Sequence, residues 1–258
     1  MPSPIPILIL GGTAEARALA ASLRDDGRFA PLLSLAGATE HPVEQPVPTR
    51  SGGFGGAEGL ASFLRDNGIR AVVDATHPFA TRISANAARA CLAAAVELVR
   101  IERPAWSLAG HERWTEVEDM EAAAAYLGRR PLRVFLTVGR RDLEPFKHQK
   151  QHFFLVRSVE APPAALLPPR CRVVTARGPF TVEEERALML RHRIQVLVCK
   201  NSGGASVAAK LDVAEQERFP VILVKRPPAA ESRAVPGWRE ALEWLEALHH
   251  SAEMLRAV

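Results

Sequence analysis

Glycines, hydroxyls and charged side chains gather in five short clusters, and each directly follows an apolar run. They are Gly11-Gly12-Thr13, Thr76-His77, Gly139 to Asp142, Arg177-Gly178 and Lys200 to Gly204. The first has the best-defined chemistry. Ile7 to Leu10 runs into the glycine pair and an alanine-rich helical pattern begins at once, which reads as strand, tight turn, helix. Backbone N–H groups at such a turn can approach a ligand closely, and the positive end of the helix points to the same place. An anionic group such as a phosphate is therefore the natural guest. The turn is an incomplete dinucleotide fingerprint, because Ala14 and Ala16 stand where a third glycine would be, and a plain strand-to-helix turn fits it as well.

Ser51-Gly52-Gly53-Phe54-Gly55-Gly56 offers a second set of N–H groups ahead of a helix from Ala57 to Asn67. It reads as a loop covering a ligand or as a surface linker, and Phe54 in its middle favours the loop. Lys200 is one of five lysines and ends an apolar strand. That position suits a general acid in a closed site, or an anchor for an anionic group. His77, at a strand's carboxyl end, suits a cap or a proton donor. The eight histidines show no metal-ligand spacing, and the three cysteines form no C-x-x-C, so buried reduced thiols in a cytoplasmic protein are expected. Arginine supplies 28 of the 33 basic residues behind a net charge of +4. They are dispersed without interleaved aromatics, which argues against nucleic acid. The apolar start is too short for a secretory leader, and nothing approaches the ~20 apolar residues of a membrane span.

The elements that must hold these clusters alternate regularly. Strands are expected at Ile7 to Leu10, Pro31 to Leu35, Ala71 to Thr76, Val96 to Ile101 and Arg113 to Val117. In the second half they fall at Leu132 to Val138, Phe153 to Val159, Val173 to Ala176, Ile194 to Cys199 and Val221 to Val224. Helices lie between most of them: one opens at Pro78 behind a Thr76 or His77 cap, one follows Thr181, and an amphipathic one closes the chain from Trp238 to His249. This alternation means parallel α/β sheets. A compositional break at Arg129-Arg130-Pro131 suggests two domains, residues 1–128 and 129–258. In such sheets ligands bind beyond the carboxyl ends of the strands, and the five clusters stand at those ends. No acid follows the second strand, where an NAD-binding unit holds the ribose; Ser34 to Thr39 comes before Glu40. That leans toward NADPH, and a protein binding no nucleotide would show the same.

The ordered set Gly11-Gly12-Thr13-x-Glu15-x-Arg17, Ser51 to Gly56, Asp74-Ala75-Thr76-His77-Pro78-Phe79-Ala80, Glu102-Arg103-Pro104-x-Trp106, Thr137-x-Gly139-x-x-Asp142-Leu143 and Lys200 to Gly204 resembles the precorrin-6A reductase family over essentially the whole chain. The resemblance implies two Rossmann-like α/β domains with an interdomain cleft. It also implies NADPH-dependent reduction of the double bond between carbons 18 and 19 of the precorrin-6A macrocycle, in cobalamin biosynthesis. By position, Gly11, Gly12 and Thr13 would line the NADPH phosphates, with Ser51, Gly52, Gly53, Thr76 and His77 near the cofactor. Lys200, Asn201, Ser202 and Gly203 would face the substrate from the C-terminal domain. Ala38 stands where the family often has arginine, so an arginine for the 2′-phosphate must come from elsewhere, and Arg17 or Arg50 could serve. Arg140, Arg141 and Arg177 would help Lys200 attract an acidic tetrapyrrole. Lys200 is the expected proton donor, with substrate anchoring, His77 or water as alternatives. The cobalt-containing substrate of the anaerobic route and a non-catalytic NADPH-binding regulator stay open, while the missing acid after the second strand argues against a transferase using another nucleotide. Handover of the product to neighbouring corrin-pathway enzymes accompanies the main reading.

Overall fold

Ile5, Ile7 and Ile9 pack into one apolar cluster and Leu8 and Leu10 into another, so the first strand is covered on both faces, as a strand inside a parallel α/β sheet must be. The computed structural model describes residues 3–37, 43–204 and 207–254. In chain order the first elements are β1 (Ile5–Leu10), α1 (Ala14–Leu23), β2 (Phe29–Leu35), β3 (Thr49–Ser51), α2 (Gly56–Asp66), β4 (Ala71–Asp74), α3 (Thr81–Ala94) and β5 (Glu97–Ile101). They continue with β6 (Trp114–Val117), α4 (Met120–Tyr126), β7 (Arg133–Thr137), β8 (Phe153–Ser158), β9 (Cys171–Thr175) and α5 (Val182–Arg191). The last are β10 (Val196–Lys200), α6 (Ala209–Gln216), β11 (Val221–Val224), β12 (Arg233–Val235) and α7 (Trp238–Met254).

The strands form two six-stranded sheets in which every pairing is parallel, with orders β3-β2-β1-β4-β5-β12 and β9-β8-β7-β10-β11-β6. Each reads 3-2-1-4-5-6 along the sheet, the doubly wound order of a Rossmann domain. In the first unit α1 and α7 cover one face, with Leu19, Leu23, Ala241 and Leu245 fully buried, while Leu60 and Leu64 of α2 and Ala87 and Cys91 of α3 cover the other. In the second unit Met189 of α5 and Leu211 and Val213 of α6 pack on Phe135, Leu155, Leu197 and Leu223. Burial pushes the Cys91 thiol up to about 12, with the nearby Asp74 adding to it, and the Cys199 thiol up to about 11. No helix among the described residues is long and apolar enough to cross a membrane.

Two expectations need correction. The chain does not divide once at Arg129–Pro131. One unit runs to Pro104 and resumes at Pro227, and the other is Ala105–Arg226. The sixth strand of each sheet is exchanged: β6 pairs with β11 in the second sheet, and β12 pairs with β5 in the first. The third helix does not open at Pro78 either. Residues 77–80 form a turn in which Ala80 N donates to His77 O at 2.7 Å, and α3 starts at Thr81 behind a non-helical Ala80. The capping expected at Thr181 is present as a full capping box with Glu184.

Candidate active site

The strand order of the first sheet reverses between β1 and β4, and the crevice beyond their carboxyl ends is where doubly wound sheets bind ligands. The sequence places Gly11-Gly12-Thr13 and Ala75-Thr76-His77 there. Thr13 Oγ1 donates to Ala75 O at 2.6 Å and accepts from Ala16 N at 3.2 Å, so one hydroxyl caps α1 and ties the two loops together. Gly11 lets Leu33 pack closely, because a Cβ there would lie 2.7 Å from Leu33 Cδ1 and would force that side chain to shift. Gly12, at φ +112°, has open space where a Cβ would project, and this is the approach a phosphate needs.

Thr76 is held from below. Asp74, 1% exposed, accepts from Thr76 N at 3.1 Å and from Thr76 Oγ1 at 2.7 Å, so the turn is set by a buried carboxylate. His77 Nδ1 accepts from Phe79 N at 3.2 Å. Glu15, in the first turn of α1, receives Arg103 Nη1 at 2.6 Å, with both side chains mostly buried. A carboxylate at that helix end would repel a phosphate; the guanidinium offsets it. Together with Thr13, Thr76 and Pro78 the pair lines a shallow recess at the switch point.

The glycine loop follows β3 at the far side of β2. Arg50, paired in register with Ser34, donates from Nη1 to Ser34 Oγ at 2.8 Å and Gly52 O at 3.0 Å, and from Nη2 to Gly53 O at 3.1 Å. Its guanidinium lies 3.9 Å from the centroid of Phe54, so the loop is organised around this side chain. Gly59 fixes the loop to α2, since a Cβ there would stand 1.8 Å from Phe54 O. Gly52 and Gly53 face open space. Arg17 is exposed on α1. Ala38 lies outside the described residues.

In the second sheet the order reverses between β7 and β10, and the loops beyond them carry Gly139 to Asp142 and Lys200 to Gly204. Lys200 Nζ donates to Asp142 Oδ2 at 2.6 Å, with the two side chains 18% and 24% exposed. Gly139 makes room for that carboxylate, since a Cβ there would approach Asp142 Oδ2 to 2.8 Å. Asn201, Ser202 and Gly203 are buried, and the Asn201 amide is engaged with the backbone of Trp106. Arg140 is half-buried in the turn after β7. Arg177 is exposed beyond the edge strand β9, with β8 between it and β7. Beneath this loop Lys210 is buried, its Nζ donates to Val207 O at 2.8 Å, and burial pulls its pKa down.

The sequence marks Asp74, Arg103 and Asp142 only as members of motifs and gives none of them a role of its own. Their partners are 2, 88 and 58 residues away. The near pair Asp74-x-Thr76 carried a readable signal, a polar residue ending an apolar strand before a turn.

The model of the family described as precorrin-6x reductase CbiJ/CobK matches residues 6–246. The chain is 46% identical over 238 residues to a precorrin-6A reductase of Rhodobacter capsulatus, spanning 90% of this chain and 94% of that one. It is 29% identical over 235 residues to a cobalt-precorrin-6A reductase of Priestia megaterium, spanning 86% and 90%. A solved structure described as CobK precorrin-6A reductase matches with a TM-score of 0.90 at 44% identity, over 95% of this chain and 97% of that one.

Proposed function

The chain belongs to the precorrin-6x reductase CbiJ/CobK family, and from that premise we propose that it is a precorrin-6A reductase. It uses NADPH to reduce the double bond between carbons 18 and 19 of the macrocycle, giving precorrin-6B in cobalamin biosynthesis. The observation that carries this reading is the likeness to a precorrin-6A reductase structure over 95% of the chain at 44% identity. The higher identity to the relative named for the cobalt-free substrate, 46% against 29%, favours precorrin-6A over its cobalt form. Passage of the product to neighbouring corrin-pathway enzymes belongs to the same reading.

Reducing a C=C bond takes a hydride at one carbon and a proton at the next. A bound nicotinamide supplies the hydride. The open turn at Gly12, the Thr13 cap and the positive end of α1 fit the pyrophosphate of such a cofactor. Gly11, Gly12 and Thr13 would line the phosphates, with Ser51, Gly52, Gly53, Thr76 and His77 alongside. Arg50 suits the 2′-phosphate: it stands beside Ser34 at the end of β2, and its Nε–H and one Nη2–H are uncommitted among the described residues. Lys200 donates the proton to the carbon next to the one receiving hydride, and Asp142 orients the ammonium. Arg140 and Arg177 attract the acidic side chains of the macrocycle, and Ser202 and Gly203 shape the wall behind Lys200.

The test is anaerobic turnover of precorrin-6A by the purified chain. NADPH absorbance should fall with formation of the reduced macrocycle, faster than with NADH and faster than with cobalt-precorrin-6A; no turnover of authentic precorrin-6A overturns the reading. Lys200→Ala should lower kcat by about 10²-fold while leaving the Kd for NADPH unchanged. A loss confined to NADPH binding would reassign the lysine to the cofactor.

A further inference from the structure

Asn201 is 3% exposed and uses its amide in both directions. Oδ1 accepts from Trp106 N at 2.9 Å, and Nδ2 donates to Trp106 O at 3.0 Å, so the side chain pairs with that backbone as a neighbouring strand would. The main chain of the same residue is equally engaged: its N donates to Val224 O at 2.8 Å, and its O accepts from Arg226 Nε at 2.7 Å. Asparagine suits the position because its short amide presents one donor and one acceptor in the relation a peptide does; aspartate lacks the donor. In a buried place the loss of the bond from Trp106 N leaves an unsatisfied donor, and because Nδ2 also reaches Glu116 Oε1 at 3.5 Å, an aspartate would set a second carboxylate beside that one.

The residues it holds are the ends of the two connecting segments. The chain enters the second unit at Ala105 and leaves it after Arg226. Trp106 is the second residue in, and Arg226 is the last. Trp106 is itself fixed, packing against the apolar core of its unit with Lys210 Nζ 5.7 Å from its ring centroid. Both connections are therefore fastened to a single residue, and that residue directly follows Lys200. Ser202 N donates to Lys200 O at 2.7 Å, closing the turn around the fastening, while Lys200 stays in register with Val224.

We propose that Asn201 is the positioning residue of Lys200. By fastening Trp106 and Arg226 to the end of β10 it sets the backbone from which the lysine reaches Asp142, in place of the substrate contact that the family resemblance implies for it, since its buried amide is engaged with Trp106. The proposal rests on Lys200 being the proton donor. It is tested in the full-length chain with Asn201→Asp, Asn201→Ala, Arg226→Met, Lys200→Ala and the double variant Asn201→Asp/Lys200→Ala. The readouts are kcat, KM for each substrate, the Kd for NADPH and the solvent isotope effect on kcat. Asn201→Asp should lower kcat by about 10- to 100-fold, the scale of a misplaced reacting group, and raise the solvent isotope effect, with the NADPH Kd within about twofold. In the Lys200→Ala background the same change should add little further loss. Should both Asn201 variants fail to fold, Arg226→Met must show a lowered kcat with the same rise in isotope effect. A wild-type kcat and isotope effect in the folded variants, or full additivity with Lys200→Ala, overturns the positioning role. Wild-type turnover by Lys200→Ala overturns the donor reading beneath it.

Discussion

Arg50 spends three hydrogen bonds on Ser34 Oγ, Gly52 O and Gly53 O and stacks on Phe54, so its guanidinium is pre-placed at the end of β2 before any ligand arrives. A pre-placed fork loses little freedom on meeting a phosphate, and this makes arginine the stronger recognition group here. Arg17, exposed on α1, has no comparable support. Arg50→Met keeps the stem over the ring and removes the charge. The KM for NADPH should rise about 10- to 100-fold, as expected for losing charge-assisted bonds of about 1.5–3 kcal/mol, with the KM for NADH nearly constant. Parallel rises for both cofactors would assign Arg50 to loop architecture alone. At this scale the residue types were readable and the pairings were not. Lys200 stood out as a rare lysine ending an apolar strand, but nothing near it in sequence announces Asp142, and nothing near Glu15 announces Arg103.

Elements were readable where local chemistry decides them. Apolar runs became strands, Thr181 with Glu184 became a capping box, and the polar clusters stand at the carboxyl ends of the strands. The error at Pro78 has a local cause as well. His77 Nδ1 takes the Phe79 N–H as an N-cap would, but the chain closes an i→i+3 turn from Ala80 N to His77 O and leaves Ala80 outside helical geometry, so the helix is delayed to Thr81. A histidine outside the site sets the junction between α4 and β7. His152 is fully buried, accepts Leu132 N on Nδ1 at 3.2 Å and meets Gly128 O from Nε2 at 3.1 Å. Burial holds its pKa below the ordinary histidine value, partly offset by the bond to Gly128; burial and the charges of Arg172, Arg133 and Arg191 do the same to His192. Between the folded pKa and the unfolded value of about 6.5, the unfolded chain binds more protons. The stabilisation is therefore complete above that value and is lost as pH falls through the folded one. Urea midpoints should drop between pH 7 and pH 5, and His152→Asn should flatten the drop. An unchanged slope in the variant would remove His152 as its source.

Over the whole molecule, neighbouring elements in sequence order do not all share a sheet. A short strand such as Trp114–Val117 carries no mark of which edge it will join, so the break at Arg129–Pro131 read as a domain joint although β6 had already crossed into the second sheet. Placing β12 and α7 with the second half met the same obstacle. Yet α7 buries Ala241, Trp244 and Leu245 in the core of the first sheet and packs against α1 and β5, far back in sequence. Two such large apolar side chains contribute about 1.5–3 kcal/mol each, a large share of the roughly 5–15 kcal/mol that holds a domain together. Fragments should respect the exchange. Residues 105–226 contain all six strands of the second sheet and should unfold cooperatively in urea with a native-like circular dichroism spectrum. Residues 129–258 lack β6 and carry α7 with its apolar face uncovered, so they should aggregate or melt without a transition. Cooperative unfolding of the 129–258 fragment at a midpoint equal to that of 105–226 would mean that β6 contributes nothing to the stability of the second sheet.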